Sequence, residues 1–363
     1  MPVQASALNQ PSSVVSSNTW RSRTLAAILM VVIAGTFWVD SRYPALLKRY
    51  HAGTQVKAVG AITFGTIYPV DRAMPLSTRV WRTSINWLDA NRIGMTFAFL
   101  FGPAALTFLA MVRRRRTGSR YLNALVGAVV GAPMAVCSNC VAPIARGFYA
   151  SGMSTESVLA AMFASPALNV VLLAMTFALF PAPIALLKLA TVFFLIFVFA
   201  PAVASSRGES GLAVACSIEI PVSETWTQSL VSTARAFARS FWYVFRVAFP
   251  LMLLAAVLGA LVIEVLPPQA LNAQVTVGGI ILVAIVGAFL PVPLTFDVAI
   301  AYIVMTKGVP LPYVVTILCT LGIISVFSIS IIGKTISWKV AAASYATVAA
   351  VGAVAGLLTH AIS

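Results

Sequence analysis

The most reactive side chains in this sequence lie in the run Cys137-Ser-Asn-Cys140, inside an otherwise apolar stretch. Two thiols three positions apart can bind a soft, thiophilic species or exchange with a disulfide. Because proline lacks an N–H and disfavours helical geometry in the residue before it, Pro143 predicts a helix break near the cysteines. We expect Asn139 to cap a half-helix that begins around Cys140. The positive end of such a helix suits an anionic or electron-rich substrate and favours a thiolate.

Other interpretations of the cysteines stay open at this stage. A cysteine in a membrane helix is often no more than a small apolar side chain that packs well. A structural zinc site needs four ligands, and the two histidines, His51 and His360, are far from the pair in sequence. We therefore expect no metal site and no cofactor.

A second group of polar residues lies in the next apolar run, where Ser165, Pro166 and Asn169 occur together. A proline in the middle of a span can be a simple kink. Alternatively, the freed backbone carbonyls and the side chains of Ser165 and Asn169 line a cavity that the cysteine segment reaches.

Asp297 is a carboxylate deep within an apolar segment, two residues beyond Thr295, whereas Lys188 and Glu264 lie near the ends of apolar runs. An acidic residue inside a membrane is a functional candidate. Asp297 could couple transport to protons, being neutral in a dry cavity and ionised in a wet one, or it could merely cap a helix. We predict Asp297 as the proton-coupling residue, and we predict as substrate-binding residues Cys137, Ser138, Asn139, Cys140, Pro143, Ser165, Asn169 and Thr295.

The composition places these residues in a membrane. The 363 residues are 60% hydrophobic and only 9% charged, with a mean hydropathy of +0.96, whereas soluble domains are roughly 25% charged. The net charge of +15 comes from basic residues between apolar runs. This pattern indicates membrane topology and contact with the lipid bilayer, not nucleic-acid binding.

The apolar runs have the length of membrane helices, ~20 residues, and lack the ~10-residue alternating pattern of barrel strands. We therefore predict an all-α integral membrane protein with about nine or ten membrane segments. Two further segments, 121–152 and 275–308, are interrupted by Pro or Gly near the middle, as binding-site hairpins of transporters are. The predicted spans are 25–39, 93–112, 155–180, 183–203, 241–266, 311–333 and 339–360.

A shift of 156 residues relates the two halves of the chain, since it places Gly131 on Gly287 and Ile144 on Ile300 and brings the apolar runs into step. This indicates an internal repeat. The basic cluster Arg113 to Arg116 should be cytoplasmic. The first hairpin would then enter from the cytoplasm and the second from outside, so the repeats would be inverted. The basic loop 40–92 conflicts with this orientation.

The resulting organisation is a disordered segment 1–20, a first membrane helix with an amphipathic loop over 21–92, a first repeat over 93–203, a cytoplasmic loop over 204–240 and a second, inverted repeat over 241–363. The small-residue faces at Gly127/Gly131 and Gly352/Gly356 permit close helix contact and are a candidate surface for a homo-oligomer. We expect a multi-pass protein of the plasma membrane, specifically a bacterial inner membrane.

The region from Gly131 to Asn169 resembles the predicted permease family that includes ArsP-type organoarsenical efflux permeases. The family pattern is a Pro, then Cys-Ser-Cys-Gly-x-x-Pro, a Gly, and Ser-Pro-x-x-Asn. This chain departs from it at Asn139, which replaces the second Cys, and at Cys140, which replaces the Gly. The resemblance implies a membrane permease with functional cysteines. The matching residues are Pro133, Cys137, Ser138, Pro143, Gly152, Ser165, Pro166 and Asn169.

These observations predict a secondary transporter for a small thiol-reactive or anionic solute, acting in efflux and coupled to protons. The sequence contains no phosphate-binding glycine loop and no Ser/His/Asp arrangement, so ATP-driven transport within this chain is not expected. We predict a transporter and not an enzyme. The alternative is a membrane thiol-disulfide oxidoreductase that uses Cys137 and Cys140. Such relays usually need exchangeable cysteines in both halves, and under the shift of 156 residues Cys319 aligns with Phe163 and not with the pair.

Overall fold

The computed structural model describes residues 20–44, 47, 67–71, 73–111, 118–205, 225–265 and 275–362, and all regular structure within them is helical. Residues 1–19 of the predicted disordered segment and residues 206–224 of the predicted loop 204–240 lie outside the described residues, whereas Trp20 and residues 226–240 are helical. The helices are α1 (Trp20–Phe37, continued by a π-helical turn Trp38–Arg42), α2 (Leu76–Met111), α3 (Arg120–Gly131), α4 (Ser138–Ala150), α5 (Thr155–Ala167), α6 (Val170–Leu179), α7 (Ala182–Phe194, continued to Ser205), α8 (Trp226–Val265), α9 (Val277–Phe289), α10 (Phe296–Thr306), α11 (Leu311–Thr320), α12 (Val326–Thr335) and α13 (Trp338–Ile362).

Five of the described helices, α1, α2, α7, α8 and α13, are long and apolar enough to cross a membrane, and the bent pair α5–α6 makes a sixth candidate span. Four further apolar helices, α9 to α12, are shorter. The chain is therefore a multi-pass, all-helical membrane protein. Helix α2 begins at Leu76 and not near residue 93, so it runs across the boundary predicted between the loop and the first repeat.

Four pairs of short helices are separated by breaks. The predicted interruption between α3 and α4 is present, as is the one between α9 and α10. Helices α5 and α6 meet at an angle of 48°, just after Pro166. The sequence predicted one continuous span over 311–333, and this was wrong: the chain leaves the helix after Thr320 and passes through Gly322 at φ 80° before α12 begins. Glycine reaches that backbone conformation without a steric penalty.

The broken pairs follow the 156-residue shift closely. The shift carries α6, residues 170–179, onto 326–335, which are the bounds of α12. It carries the first residues of α5 and α7, 155 and 182, onto the first residues of α11 and α13, 311 and 338. Asn169 caps α6 and Ser325 caps α12, each with its side chain, and they are also 156 residues apart. The two halves of the chain are thus divided into helices in the same way.

The glycine-rich faces pack inside the chain. A Cβ added to Gly127 or Gly131 of α3 would collide with the backbone of α5 at Ser157 or Ala161. Added to Gly352 or Gly356 of α13, it would collide with threonines of α11. Contacts this close are possible because glycine lets helix backbones approach. Both faces therefore make close helix contacts within one molecule, as the sequence predicted.

Candidate functional site

The cysteine motif stands at a break in the chain, as Pro143 predicted, but the break lies before the motif. Helix α3 ends in a short 3-10 turn, Ala135 takes φ 47°, and α4 begins at Ser138. The residue that caps α4 is Cys137, whose Sγ accepts a hydrogen bond from the Cys140 N–H at 3.2 Å. The prediction that Asn139 caps this helix was therefore wrong. Pro143 lies inside α4, beyond the capped turn.

Both thiols face α2. The Cys137 thiol donates to Asn91 Oδ1 at 3.6 Å, and Asn91 is itself buried. The Cys140 Sγ lies against Gly94, where an added Cβ would come within 2.6 Å of the sulfur. The two sulfurs are thus in the interior, 4% and 1% exposed, at the positive end of a helix. In the described ranges no three His, Cys, Asp or Glu side chains come together, so the pair by itself could hold only a low-coordinate soft ion.

Asn139 joins the two halves of the protein. Its Nδ2 donates to the carbonyl of Val292, in the break before α10, at 3.0 Å. Its Oδ1 accepts from the hydroxyl of Ser325, the cap of α12, at 2.7 Å. Ser328 continues the network by donating to the carbonyl of Ser138 at 2.8 Å. All these groups are buried. The start of α4 therefore contacts both breaks of the second half, because the Asn139 amide is used between helices and not as a cap.

Ser165 and Asn169 support this centre from the α5–α6 break. The Ser165 hydroxyl both accepts from the N–H and donates to the carbonyl of Val136, at 3.3 Å in each case. Asn169 caps α6 through Leu172 and donates to the freed carbonyls of Ser165 and Pro166. Ser165 thus touches the chain just before the cysteines, whereas the polar atoms of Asn169 are engaged within its own break.

Asp297 lies in the first turn of α10 and pairs with Lys188 of α7. The two side chains are 6% and 3% exposed. Lys188 lies near the start of α7, as the sequence predicted, but its ammonium is buried and faces the carboxylate. Thr295 occupies the N-cap position of α10 at φ 69°, but its side chain does not cap the helix. Gly322 lies beside Asp297, since an added Cβ would be 3.2 Å from the carboxylate carbon.

The structure brings together around the start of α4 most of the residues predicted to bind substrate, namely Cys137, Ser138, Asn139, Cys140 and Ser165. Asp297 belongs to a second cluster with Lys188, and Cys319 lies within electrostatic range of that pair. Sequence reasoning missed four buried polar partners. Ser325 could have been found by its 156-residue offset from Asn169 and Lys188 as a cation within an apolar run, whereas Ser328 and Asn91 carried no such signal. These partners are Asn91, Lys188, Ser325 and Ser328.

The comparisons with known proteins agree with this architecture. A family model, ArsP_1, described as a predicted permease, matches residues 107–361. That range contains the cysteine motif, all four broken helix pairs and the Lys188–Asp297 pair. No curated protein and no solved structure matches the chain.

Proposed function

The chain belongs to the ArsP_1 family of predicted permeases, and from this premise we propose that it is a secondary transporter for a small thiophilic or anionic solute. The proposal includes inverted repeats, alternating access and efflux across a bacterial inner membrane. The solute binds where the start of α4 meets the breaks of the second half. Binding uses the two thiols, and the ends of the broken helices supply partial charges.

The observation that carries this proposal is the contact of Asn139 with both Val292 and Ser325. Irregular backbone at membrane depth is tolerated where it is buried in protein or lines a cavity. Here breaks from both halves meet at one buried point. A relative rotation of the two halves would separate these hydrogen bonds and expose the thiols to one side at a time, which is what alternating access requires.

Proton coupling is assigned to the Lys188–Asp297 pair. In this state Asp297 pairs with Lys188, and it would exchange a proton with water once movement of α10 away from α7 separates the two side chains. The neighbouring Gly322, in the α11–α12 break, packs closely against Asp297, so that such a movement would also separate Asp297 from this break. The pair joins the two halves and has no counterpart under the shift, because the residues 156 positions away from Lys188 and Asp297 are Ser344 and Val141.

A transport assay in everted membrane vesicles tests the proposal. The probe is a trivalent organoarsenical such as phenylarsine oxide. We expect Cys137→Ala to abolish accumulation and Asp297→Asn to remove its dependence on a pH gradient. Cys216→Ser, in the predicted loop 204–240, is the matched cysteine control and should transport normally. Unchanged rate and pH dependence in the first two variants would remove both assignments.

A second function, thiol-disulfide exchange, is favoured by one observation. The Cys140 N–H donates to Cys137 Sγ at the start of α4, so the first cysteine sits where a helix stabilises a thiolate. Thiol trapping in intact cells distinguishes the two functions. A redox pair must cycle between dithiol and disulfide with a partner protein, and a mixed disulfide should accumulate in Cys140→Ala. A binding pair stays reduced and yields no such adduct.

A further inference from the structure

Arg42 lies within electrostatic range of the cysteine motif although it is far from it in sequence. It ends the π-helical turn Trp38–Arg42 that continues α1. The indole of Trp38 donates to the carbonyl of Pro133 at 2.9 Å, which fixes this turn against the chain that leads into the motif. The Arg42 guanidinium carbon lies 4.5 Å from the centre of the Phe37 ring. Its charge acts electrostatically on both Cys137 and Cys140.

The protein does not provide acceptors for all the hydrogen-bond donors of the Arg42 guanidinium. Its Nε–H is buried and has no hydrogen-bond acceptor, and Arg42 forms no ion pair with another described residue. A buried donor without an acceptor is unfavourable, most of all on a charged group. The hydroxyl of Ser138, 1% exposed and next to Cys137, is likewise buried without a partner. Two polar groups beside the thiols thus have hydrogen-bonding capacity that a ligand could fill.

We propose that Arg42 is a substrate-recognition residue and that the site around the two thiols takes solutes with two features: a soft, thiol-reactive atom and an anionic group. This rests on the proposed function, because it specifies the solute of the same site. The soft atom binds the thiol of Cys137 or Cys140. The anionic group accepts from Arg42, whose planar guanidinium suits a carboxylate or oxyanion, and it is further favoured by the positive end of α4.

A pair of mercurials separates the two features. Phenylmercuric chloride and 4-(chloromercuri)benzoate share the soft atom and the ring, and only the second carries a carboxylate. Each forms one S–Hg bond with a thiol, and the thiol proton and chloride leave, so no oxidant is needed. The measurement is the equilibrium mercury content of the purified full chain, in competition with a free thiol. The background carries Cys216→Ser and Cys319→Ser, so that only the motif cysteines react.

We expect Arg42→Gln to weaken the binding of 4-(chloromercuri)benzoate by about tenfold or more relative to the binding of phenylmercuric chloride. Arg42→Lys should keep part of the preference, because the charge remains. Arg92→Gln is the matched control, a cation on α2 whose side chain is 72% exposed and pairs with Asp89, and it should leave the preference unchanged. The ratio of the two probes cancels any general effect on thiol reactivity or folding.

The outcomes separate the inference from the function beneath it. If Arg42→Gln weakens both probes equally, or neither, Arg42 does not recognise the anion and the inference is overturned. If the background chain, in which Cys137 and Cys140 are the remaining thiols, takes up neither probe, the thiol site itself is wrong and the proposed function fails with it. Uptake of both probes by the background chain, with a shifted ratio in Arg42→Gln, supports both.

Discussion

Removing one member of the Lys188–Asp297 pair should cost far more stability than removing both. The side chains are 3% and 6% exposed, so either single replacement leaves a buried charge without its partner. Breaking a buried ion pair in this way costs about 3–5 kcal/mol, whereas replacing both charges by neutral groups of similar size is often close to neutral. We therefore expect Lys188→Met and Asp297→Asn each to lower the free energy of unfolding by about 3 kcal/mol.

The combined variant, Lys188→Met with Asp297→Asn, should lie within about 1 kcal/mol of the unmodified protein. The assay is equilibrium unfolding in mixed micelles of increasing dodecyl sulfate content, followed by tryptophan fluorescence. A loss of 3 kcal/mol raises the unfolding equilibrium constant roughly 150-fold, which is well within the range of such a titration. The combined variant should also fold well yet transport without proton coupling.

The Arg92–Asp89 pair is the control, because it is an i,i+3 pair on one helix and the arginine is 72% exposed. Neutralising it should change stability by less than about 1 kcal/mol, since surface ion pairs contribute little. Two results would refute the reasoning on Lys188 and Asp297. One is that each single replacement lowers the free energy of unfolding by less than about 1 kcal/mol, as the surface control does. The other is a combined variant as unstable as the sum of the single ones.

Two further predictions concern the centre of the protein. Gly94→Ala should displace the Cys140 sulfur, which would lie 2.6 Å from the new Cβ, and so should slow alkylation of the motif and thiophile transport; Gly35→Ala, with open space around its Cβ, should change neither. A double-mutant cycle of Asn139→Ala and Ser325→Ala should give a coupling free energy of about 1 kcal/mol, because each removes one partner of a buried 2.7 Å hydrogen bond. Purely additive losses would show that this bond does not hold the two halves together.

Much of the helical architecture could be predicted because its causes are local. Long apolar runs with few charges form membrane helices. A proline can also mark a helix end, as Pro166 does one residue before α5 stops, although Pro143 lies inside α4. The break at 321–325 was missed because the segment is apolar and contains no proline after its first turn. Its signal was relational: Ser325 stands 156 residues after Asn169, and both cap a helix. Detecting this break from the sequence requires applying the 156-residue shift to single residues.

The cap of α4 shows how packing overrides a local preference. Asparagine is among the best capping residues, so Asn139 was the natural choice. In the folded protein its amide instead bridges Val292 and Ser325, 153 and 186 residues away. Cys137 takes the cap, which places its sulfur at the helix end. The residue types thus indicated a helix cap and a thiol site. Packing against the second half of the chain determines that Cys137 caps the helix and that Asn139 makes the contacts between the halves.

The sequence by itself determined that this is a helical membrane protein with a thiol pair at a helix break, because hydropathy and the backbone chemistry of proline act over a few residues. Only the tertiary structure decided what those groups contact. Lys188 meets Asp297 across 109 residues, and Cys137 meets Asn91 across 46. In each case the sequence around one residue does not indicate which distant residue it contacts. Burial makes an unpaired polar group costly, and the packing of distant helices decides which partner relieves that cost.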